Sequence, residues 1–276
     1  MIQLGNYNTL EILRSTSVGL FLGDNEGTEI LLPNKYVPDP IEIGQQLTVF
    51  CYLDSNERPV ATTLKPLIIR NEFAFLEVTE LSAYGAFMDW GLEKHLLVPF
   101  REQRLKMEQG KKYVVHCYLD EQSFRLTASN KLDKFLDNEN ILKKVNDEVS
   151  LLVSRKTDLG WEMVVDNRHK GLLFFSDVFK EISIGDSLKG FIKNIRNDKK
   201  LDVSLLPIGQ KMLEPTAELI LKKLQEADGF LTLHDKSSPE EIKERLQLSK
   251  KAFKKGVGAL YRERKITIET NGIRLL

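Results

Sequence analysis

Three segments of this sequence share one register of glycine and apolar residues without a gap. Each segment contains a pair of glycines at equivalent positions, and the interval between the two is the same in all three. The three pairs are Gly19 with Gly44, Gly85 with Gly110, and Gly160 with Gly185. Self-similarity of this kind indicates that one supersecondary unit occurs three times in the chain.

Each repeat has the composition of short β-strands joined by turns. Apolar, β-prone runs such as 49–53 and 113–119 alternate with turn candidates such as Asp24–Gly27 and Asn197–Asp198. Five such strands in about 65 residues, with a short helical segment near 178–182, are typical of a small Greek-key barrel of the OB type.

After residue 208 the apolar period changes from that of strands to that of helices. Ser238 before Pro239, and Ser249 before a lysine-rich segment, are signals of helix N-termini. The predicted elements are helix 216–227, strand 230–233, helix 239–246, helix 250–264 and a hairpin that turns at Asn271-Gly272. This order of elements is typical of a winged helix-turn-helix.

The predicted fold is therefore mainly β with a C-terminal α+β domain: three tandem OB-fold barrels of five strands each, and a winged helix-turn-helix. A polar helix over 131–144 is expected to bridge the second and third barrels, with Leu132, Phe135, Leu136 and Ile141 on an apolar stripe. The predicted domains are barrel 1 over 1–65, barrel 2 with the bridging helix over 66–145, barrel 3 over 146–208, and the winged helix over 209–276.

The net charge of the whole chain does not indicate the kind of partner, because 40 basic residues balance 40 acidic ones. Residues 209–276 carry 14 basic and 10 acidic side chains, a net charge of +4, so a polyanion is most plausible there. The two cysteines, Cys51 and Cys117, occupy equivalent repeat positions and are expected in barrel cores. Few cysteines, no signal sequence and no apolar run of about 20 residues predict a cytoplasmic protein without membrane contact.

The sequence favours a protein that is not an enzyme. Its four histidines and two cysteines form neither a His-x-x-x-His nor a Cys-x-x-Cys motif, and it has no phosphate-binding glycine loop. Asp133 and Asp137 lack the further carboxylates of a two-metal nuclease site. No cofactor and no metal are expected.

Three motifs make the repeats similar to S1 domains, the OB-fold modules that bind RNA. They are Tyr84-Gly-Ala-Phe-Met88, Gly171-Leu-Leu-Phe-Phe-Ser176, and Leu119-Asp120 followed by Arg125-Leu-Thr-Ala-Ser129. Three S1-like barrels before a winged helix resemble the bacterial conserved virulence factor B family, over nearly the whole chain. The resemblance implies a regulatory protein that binds RNA and catalyses no reaction.

The resemblance also implies which residues meet RNA. In the first two repeats the S1 pattern is matched at Phe21, Tyr84, Phe87, Asp120 and Arg125. The third repeat departs from it, with Leu159 and Glu162 at the two aromatic positions. That repeat supplies other candidates for stacking and phosphate contact: Trp161, Phe174, Lys193, Arg196, Lys199 and Lys200.

The basic helix near the C-terminus adds candidates for contact with phosphates. They are Lys250, Lys251, Lys254, Lys255 and Arg262. For each group a structural alternative stays open: the rings could fill a barrel core, and the cations could simply keep a hairpin or helix face in water. The preferred hypothesis is a regulator that binds single-stranded RNA and affects transcript stability or translation. A protein adaptor for RNA-processing machinery is the alternative, and a reader of double-stranded DNA is a weaker one.

Overall fold

The computed structural model describes residues 1–178, 180–207, 215–234 and 236–276, without the side chain of Pro215. It divides into two compact units, Met1–Ile208 and Gly209–Leu276. The predicted boundaries after residues 65 and 145 lie inside the first unit and stay predictions. The predicted boundary after residue 208 lies outside the described residues.

The first repeat folds into a closed barrel of five strands. The strands are β1 (Tyr7–Thr16), β2 (Gly19–Gly23), β3 (Glu29–Pro33), β4 (Gln46–Leu53) and β5 (Pro59–Thr62). They are hydrogen-bonded in the order β1-β2-β3-β5-β4, and β4 closes on β1. Only the β3–β5 pair is parallel, which is the strand arrangement of an OB fold.

The other two repeats have the same strand order. The second contains β6 (Phe73–Leu81), β7 (Gly85–Asp89), β8 (Leu96–Pro99), β9 (Lys112–Leu119) and β10 (Leu126–Ser129). The third contains β11 (Glu148–Lys156), β12 (Gly160–Val165), β13 (His169–Phe174), β14 (Ser187–Ile195) and β15 (Leu201–Ser204). The third barrel is closed, whereas in the second β8 and β10 lie side by side without a hydrogen-bonded ladder. The prediction of three five-stranded barrels is confirmed.

The repeated glycines have a steric cause. A Cβ atom added to the first glycine of each repeat would lie 2.1 or 2.2 Å from a carbonyl oxygen of the next strand. The second glycine of each repeat has φ between +77° and +94°, a conformation that favours glycine. The spacing visible in the sequence is therefore the distance along the chain between a position where a Cβ would clash and a position whose backbone conformation favours glycine.

The predicted helical segment near 178–182 is wrong in position. A 3₁₀ turn occupies Phe175–Asp177 instead, directly after β13, and residue 179 lies outside the described ones. Equivalent turns follow the third strand of the other two barrels, at Asn34–Tyr36 and Phe100–Glu102.

The predicted bridging helix over 131–144 is also wrong, because only a 3₁₀ turn forms there, at Leu132–Lys134. The apolar stripe divides among separate partners: Leu132 packs with Val114 and Val164, and Ile141 packs against the core of the third barrel. The amide of Asn138 donates to the carbonyl oxygens of Lys170 and Lys199, both at 2.9 Å. These tertiary contacts hold the segment extended along the third barrel, where a helix could not make them.

The second unit is the predicted winged helix-turn-helix. Its elements are α1 (Pro215–Glu226), β16 (Phe230–Leu231), α2 (Pro239–Leu246), α3 (Lys250–Arg262), β17 (Ile266–Glu269) and β18 (Gly272–Leu275). Ser238 caps α2 in a capping box with Glu241, and Ser249 caps α3, as predicted. Among the described residues, no helix is both long enough and apolar enough to cross a membrane.

The hairpin of the wing turns one residue earlier than predicted. Gly272 pairs with Glu269, so the two turn residues are Thr270 and Asn271. Gly272 belongs to β18, where a Cβ atom would lie 2.2 Å from the carbonyl oxygen of Leu231. This glycine serves the close approach of β16 and not the turn.

Candidate nucleic-acid interface

The second barrel presents two aromatic rings away from its core. Ala86 and Met88 of β7 are fully buried, so the alternation of a strand directs Phe87 between them to the outer face, where it is half-buried. Tyr84, in the turn before β7, is 77% exposed. The alternative in which these two rings fill the core is therefore wrong.

Both rings line a cavity of about 350 Å³. Arg125 lines the same cavity, so the structure brings together three of the four residues predicted in this barrel. Asp120 does not line it: its carboxylate accepts a hydrogen bond from Ser123 at 2.8 Å and organises the β9–β10 hairpin. The cavity thus brings the rings of Tyr84 and Phe87 together with the guanidinium of Arg125.

The opposite wall comes from the first barrel. The carboxylate of Glu57, in the β4–β5 hairpin, pairs with the guanidinium of Arg125, which holds the pKa of Glu57 below its usual range. Lys94 donates to the carbonyl oxygen of Asp54 at 2.7 Å, and burial lowers the pKa of this lysine. The site on the second barrel is therefore a walled pocket and not an open sheet face.

Lys94 and His95 are among the polar residues of this pocket that were not predicted from the sequence. His95 contacts the hydroxyl of Thr79 at 3.0 Å, and Thr79 in turn donates to the carbonyl oxygen of Phe87 at 3.2 Å. A signal existed, because His95 and Lys170 lie at equivalent positions of the second and third repeats. Polar residues at one position of two repeats indicate that this position lies on an outer face of the barrel.

The first barrel places Phe21 on its outer face, between the buried residues Leu20 and Leu22. The guanidinium of Arg14 lies 4.2 Å from the centroid of the Phe21 ring and covers one side of it. Arg14 is itself paired with Glu29 at 2.7 Å. This ring is less available for stacking than Phe87.

The third barrel differs at the position equivalent to Phe87. Glu162 is buried there and forms ion pairs with Arg155 at 2.6 Å and Lys170 at 3.0 Å. Trp161 is in the core-facing register of β12, packs partly against the core, and contacts Phe175 edge-on with centroids 6.4 Å apart. The predicted stacking surface of this barrel is therefore reduced.

The cations predicted in the third barrel are already paired with carboxylates of the chain. The distances are 2.7 Å for Lys193 with Asp177, 2.6 Å for Arg196 with Asp202, and 2.8 Å for Lys200 with Asp198, and Lys199 pairs with Glu139. Arg196 also lies 5.7 Å from the centroid of the Phe174 ring. Phosphates would have to compete with these carboxylates.

In the second unit, α3 has one buried and one basic face. Phe253, Val257 and Leu260 are buried, while the predicted contact residues lie on the other side of the helix. Those that are exposed are Lys251, Lys254, Lys255 and Arg262, and Lys250 is half-buried. Arg262 also donates to the carbonyl oxygen of Gly258 at 3.1 Å. The helix offers a basic surface to a partner.

Two family models match the chain: the S1 domain over residues 4–64 and the CvfB-like winged helix domain over residues 218–275. Fold and matches together define a class of protein, a tandem array of S1-type barrels with a winged helix. Both of these domain types are binding modules and not enzyme families.

Relatives of known sequence span nearly the whole chain. YitL of Bacillus subtilis strain 168 is 30% identical, over 95% of this chain and 90% of the relative. Conserved virulence factor B of Staphylococcus epidermidis is 27% identical, over 99% of this chain and 94% of the relative. The chain belongs to the conserved virulence factor B family.

A solved structure of similar extent is a multidomain protein with nucleic acid binding domains from Streptococcus pneumoniae TIGR4. It is 25% identical and covers 99% of this chain and 98% of its own, with a TM-score of 0.45.

Proposed function

We propose that this protein binds single-stranded RNA on the second barrel and acts as a regulator of transcript stability or translation. The observation that carries the proposal is the pocket in which Tyr84, Phe87 and Arg125 meet on an S1-type barrel. The regulatory part rests on the family to which the chain belongs. Catalysis has no part in the proposal.

The chemistry of the pocket suits an unpaired base. Proteins bind single strands by stacking bases on aromatic rings beside cations that meet the phosphates, and each stacked base contributes about 1–3 kcal/mol. A cavity of about 350 Å³ whose walls are mainly apolar accepts a base that has left its own stack. A base held in a duplex cannot enter such a walled pocket.

The basic face of α3 supports a second contact with the same polyanion. Lys251 and Lys254 are exposed cations on a helix that, in DNA-binding winged helices, enters the major groove. The winged-helix fold alone does not decide between RNA, DNA and protein. The stacking pocket of the second barrel is what favours single-stranded RNA.

The test is fluorescence anisotropy of a labelled single-stranded RNA and of duplex DNA of equal length, with wild type and two variants of the full chain. Phe87→Ala removes the stacking ring and should weaken RNA binding about five- to 150-fold, the equivalent of one stacked base. Phe124→Ala is the matched control, because Phe124 is an exposed ring of the same barrel that does not line the pocket.

A loss in Phe87→Ala with no loss in Phe124→Ala supports the proposal. Absence of RNA binding by the wild type at low salt would overturn it and would favour a protein adaptor. A preference for duplex DNA that survives Phe87→Ala would make the winged helix the main reader.

A further inference from the structure

A second cavity, of about 560 Å³, lies between the second and third barrels. Its third-barrel wall is the outer face that corresponds, by position in the repeat, to the stacking face of the second barrel. Glu162 stands at the position of Phe87, and Ser154 donates to the Glu162 carbonyl as Thr79 does to that of Phe87. Equivalent outer faces of the second and third barrels therefore each line a cavity, and the two cavities differ in chemistry.

The chemistry of this second cavity is basic. Its lining includes five cations and two carboxylates, Asp133 and Glu162. The five cations are Arg104, Lys112, Lys131, Lys134 and Arg155. Charge of this sign in a concave site concentrates anions.

The two carboxylates are neutralised by the chain itself. Glu162 pairs with Arg155 and with Lys170, and Asp133 pairs with Lys170 and lies 3.8 Å from Arg155. These ion pairs fix the positions of Arg155 and Lys170 on the third barrel. Neither carboxylate is left to repel an incoming anion.

Two of the five lining cations form no ion pair with a described residue. Lys112 and Lys134 lie 3.8 Å and 2.8 Å from carboxylates outside the lining. Within the described part of the chain, Arg104 and Lys131 have no carboxylate within ion-pair distance. The Nε–H of Arg155 is buried, and no acceptor in the described ranges lies within hydrogen-bond distance of it. Cationic side chains therefore outnumber carboxylates in the lining of this cavity.

We infer that this cavity binds the phosphodiester backbone of the RNA strand. The inference rests on the proposed function and adds a second site to it: the second barrel stacks a base, and the junction with the third barrel holds phosphates. Apolar side chains beside the cations, those of Leu105, Tyr113 and Ile184, suit the sugar and base edges of a nucleotide. Bases need not be stacked here, which agrees with the glutamate in place of the aromatic ring.

The test uses RNA binding by the full chain as a function of salt. Arg104→Gln/Lys131→Gln removes two cations that hold no ion pair within the described ranges, and Lys65→Gln/Lys189→Gln removes the same charge from exposed lysines that do not line the cavity. The log–log slope of affinity against salt should become shallower by about 0.7 for each phosphate that no longer meets a cation. We expect a slope change of that size, with weaker binding at low salt, in the first double variant only.

The outcomes separate this inference from the proposed function. If RNA binding falls in Phe87→Ala but is equal in the two double variants, the inference that this cavity binds phosphates is wrong. The proposed stacking pocket is then unaffected. Wild type that binds no RNA overturns both. Retention of RNA affinity in Arg104→Gln/Lys131→Gln, with unchanged salt slope, contradicts the inference even if the Lys65→Gln/Lys189→Gln control binds more weakly.

Discussion

Arg125 holds a central position at the scale of single residues, because it belongs to the second barrel and is paired with a carboxylate of the first. Glu57 and Arg125 are each 52% exposed as side chains, so solvent screens the pair and it contributes little to stability. An RNA phosphate can replace such a carboxylate. Under the proposed function, the first barrel therefore competes with RNA for this cation.

Removal of this competitor should strengthen RNA binding. In Glu57→Gln the guanidinium of Arg125 is released and one negative charge leaves the pocket, so affinity should rise about two- to fivefold. Glu42→Gln, an exposed position of the first barrel outside the pocket, is the control in the same anisotropy titration. Weaker binding in Glu57→Gln would show that Glu57 itself contacts RNA.

The surroundings of His116 lead to a prediction about the pH dependence of stability. It is 5% exposed, with its ring 4.4 Å from that of Phe73 and 4.2 Å from that of Phe135, and burial lowers its pKa to about 4. The imidazole of His116 is protonated near pH 6.5 in the unfolded chain but only near pH 4 in the folded protein. The stabilisation is complete above pH 6.5 and is lost progressively as the pH falls to about 4.

The free energy of unfolding should therefore fall by about 2–3 kcal/mol more in wild type than in His116→Leu between pH 7.5 and 4.5. Urea unfolding followed by tryptophan fluorescence measures it, because both tryptophans, Trp90 and Trp161, belong to the first unit. Carboxylates contribute equally to both proteins. Parallel decreases in wild type and variant would contradict the assigned role of His116.

At the scale of elements, the strands of the barrels could be predicted because glycine spacing and alternation are set locally. Gly85 and Phe87 show this: one is required by a carbonyl oxygen 2.2 Å from an added Cβ, and the other follows from alternation with buried neighbours. The segment 131–144 could not be predicted, since its apolar residues serve different partners. The helical spacing there was real but the contacts that decide the structure are distant in sequence.

Two glycines of α3 make a paired prediction about this element. Gly258 has open space around an added Cβ, whereas at Gly256 a Cβ would lie 2.7 Å from Ile220 Cδ1 and 3.2 Å from the Ala217 nitrogen of α1. Gly258→Ala should stabilise the second unit by about 0.5–1 kcal/mol through helix propensity. Gly256→Ala should destabilise it by crowding α1.

Thermal unfolding followed by far-UV circular dichroism tests this pair, since the α-helices of the described ranges all lie in the second unit. A higher Tm for Gly258→Ala and a lower one for Gly256→Ala are expected. Equal shifts in the two variants would mean that α1 moves aside without cost.

At the scale of the whole molecule, the order of domains was predictable, while the pockets between barrels were not. The repeat and the change of period after residue 208 are visible in the sequence. Glu57 and Arg125 belong to different repeats, and nothing in their local sequence pairs them. Pockets made by two repeats depend on how those repeats pack.

The two units should act on one RNA strand. Lys251→Gln/Lys254→Gln should weaken RNA binding and make its salt slope shallower by about 0.7 for each phosphate involved, and its effect should add to that of Phe87→Ala. Anisotropy titrations of the variant that combines all three substitutions measure whether the losses of binding free energy add. An unchanged salt slope would mean that α3 does not contact the RNA phosphates.

The most direct test of the account is to locate RNA on the protein. Single-stranded RNA with 4-thiouridine would be photo-crosslinked to the full chain, and the attached peptides identified by mass spectrometry. RNA binding on the second barrel predicts crosslinks to the strand and turn that contain Tyr84 and Phe87, absent in Phe87→Ala and kept in Phe124→Ala. Crosslinks confined to the first barrel, or present equally in Phe87→Ala, would contradict it.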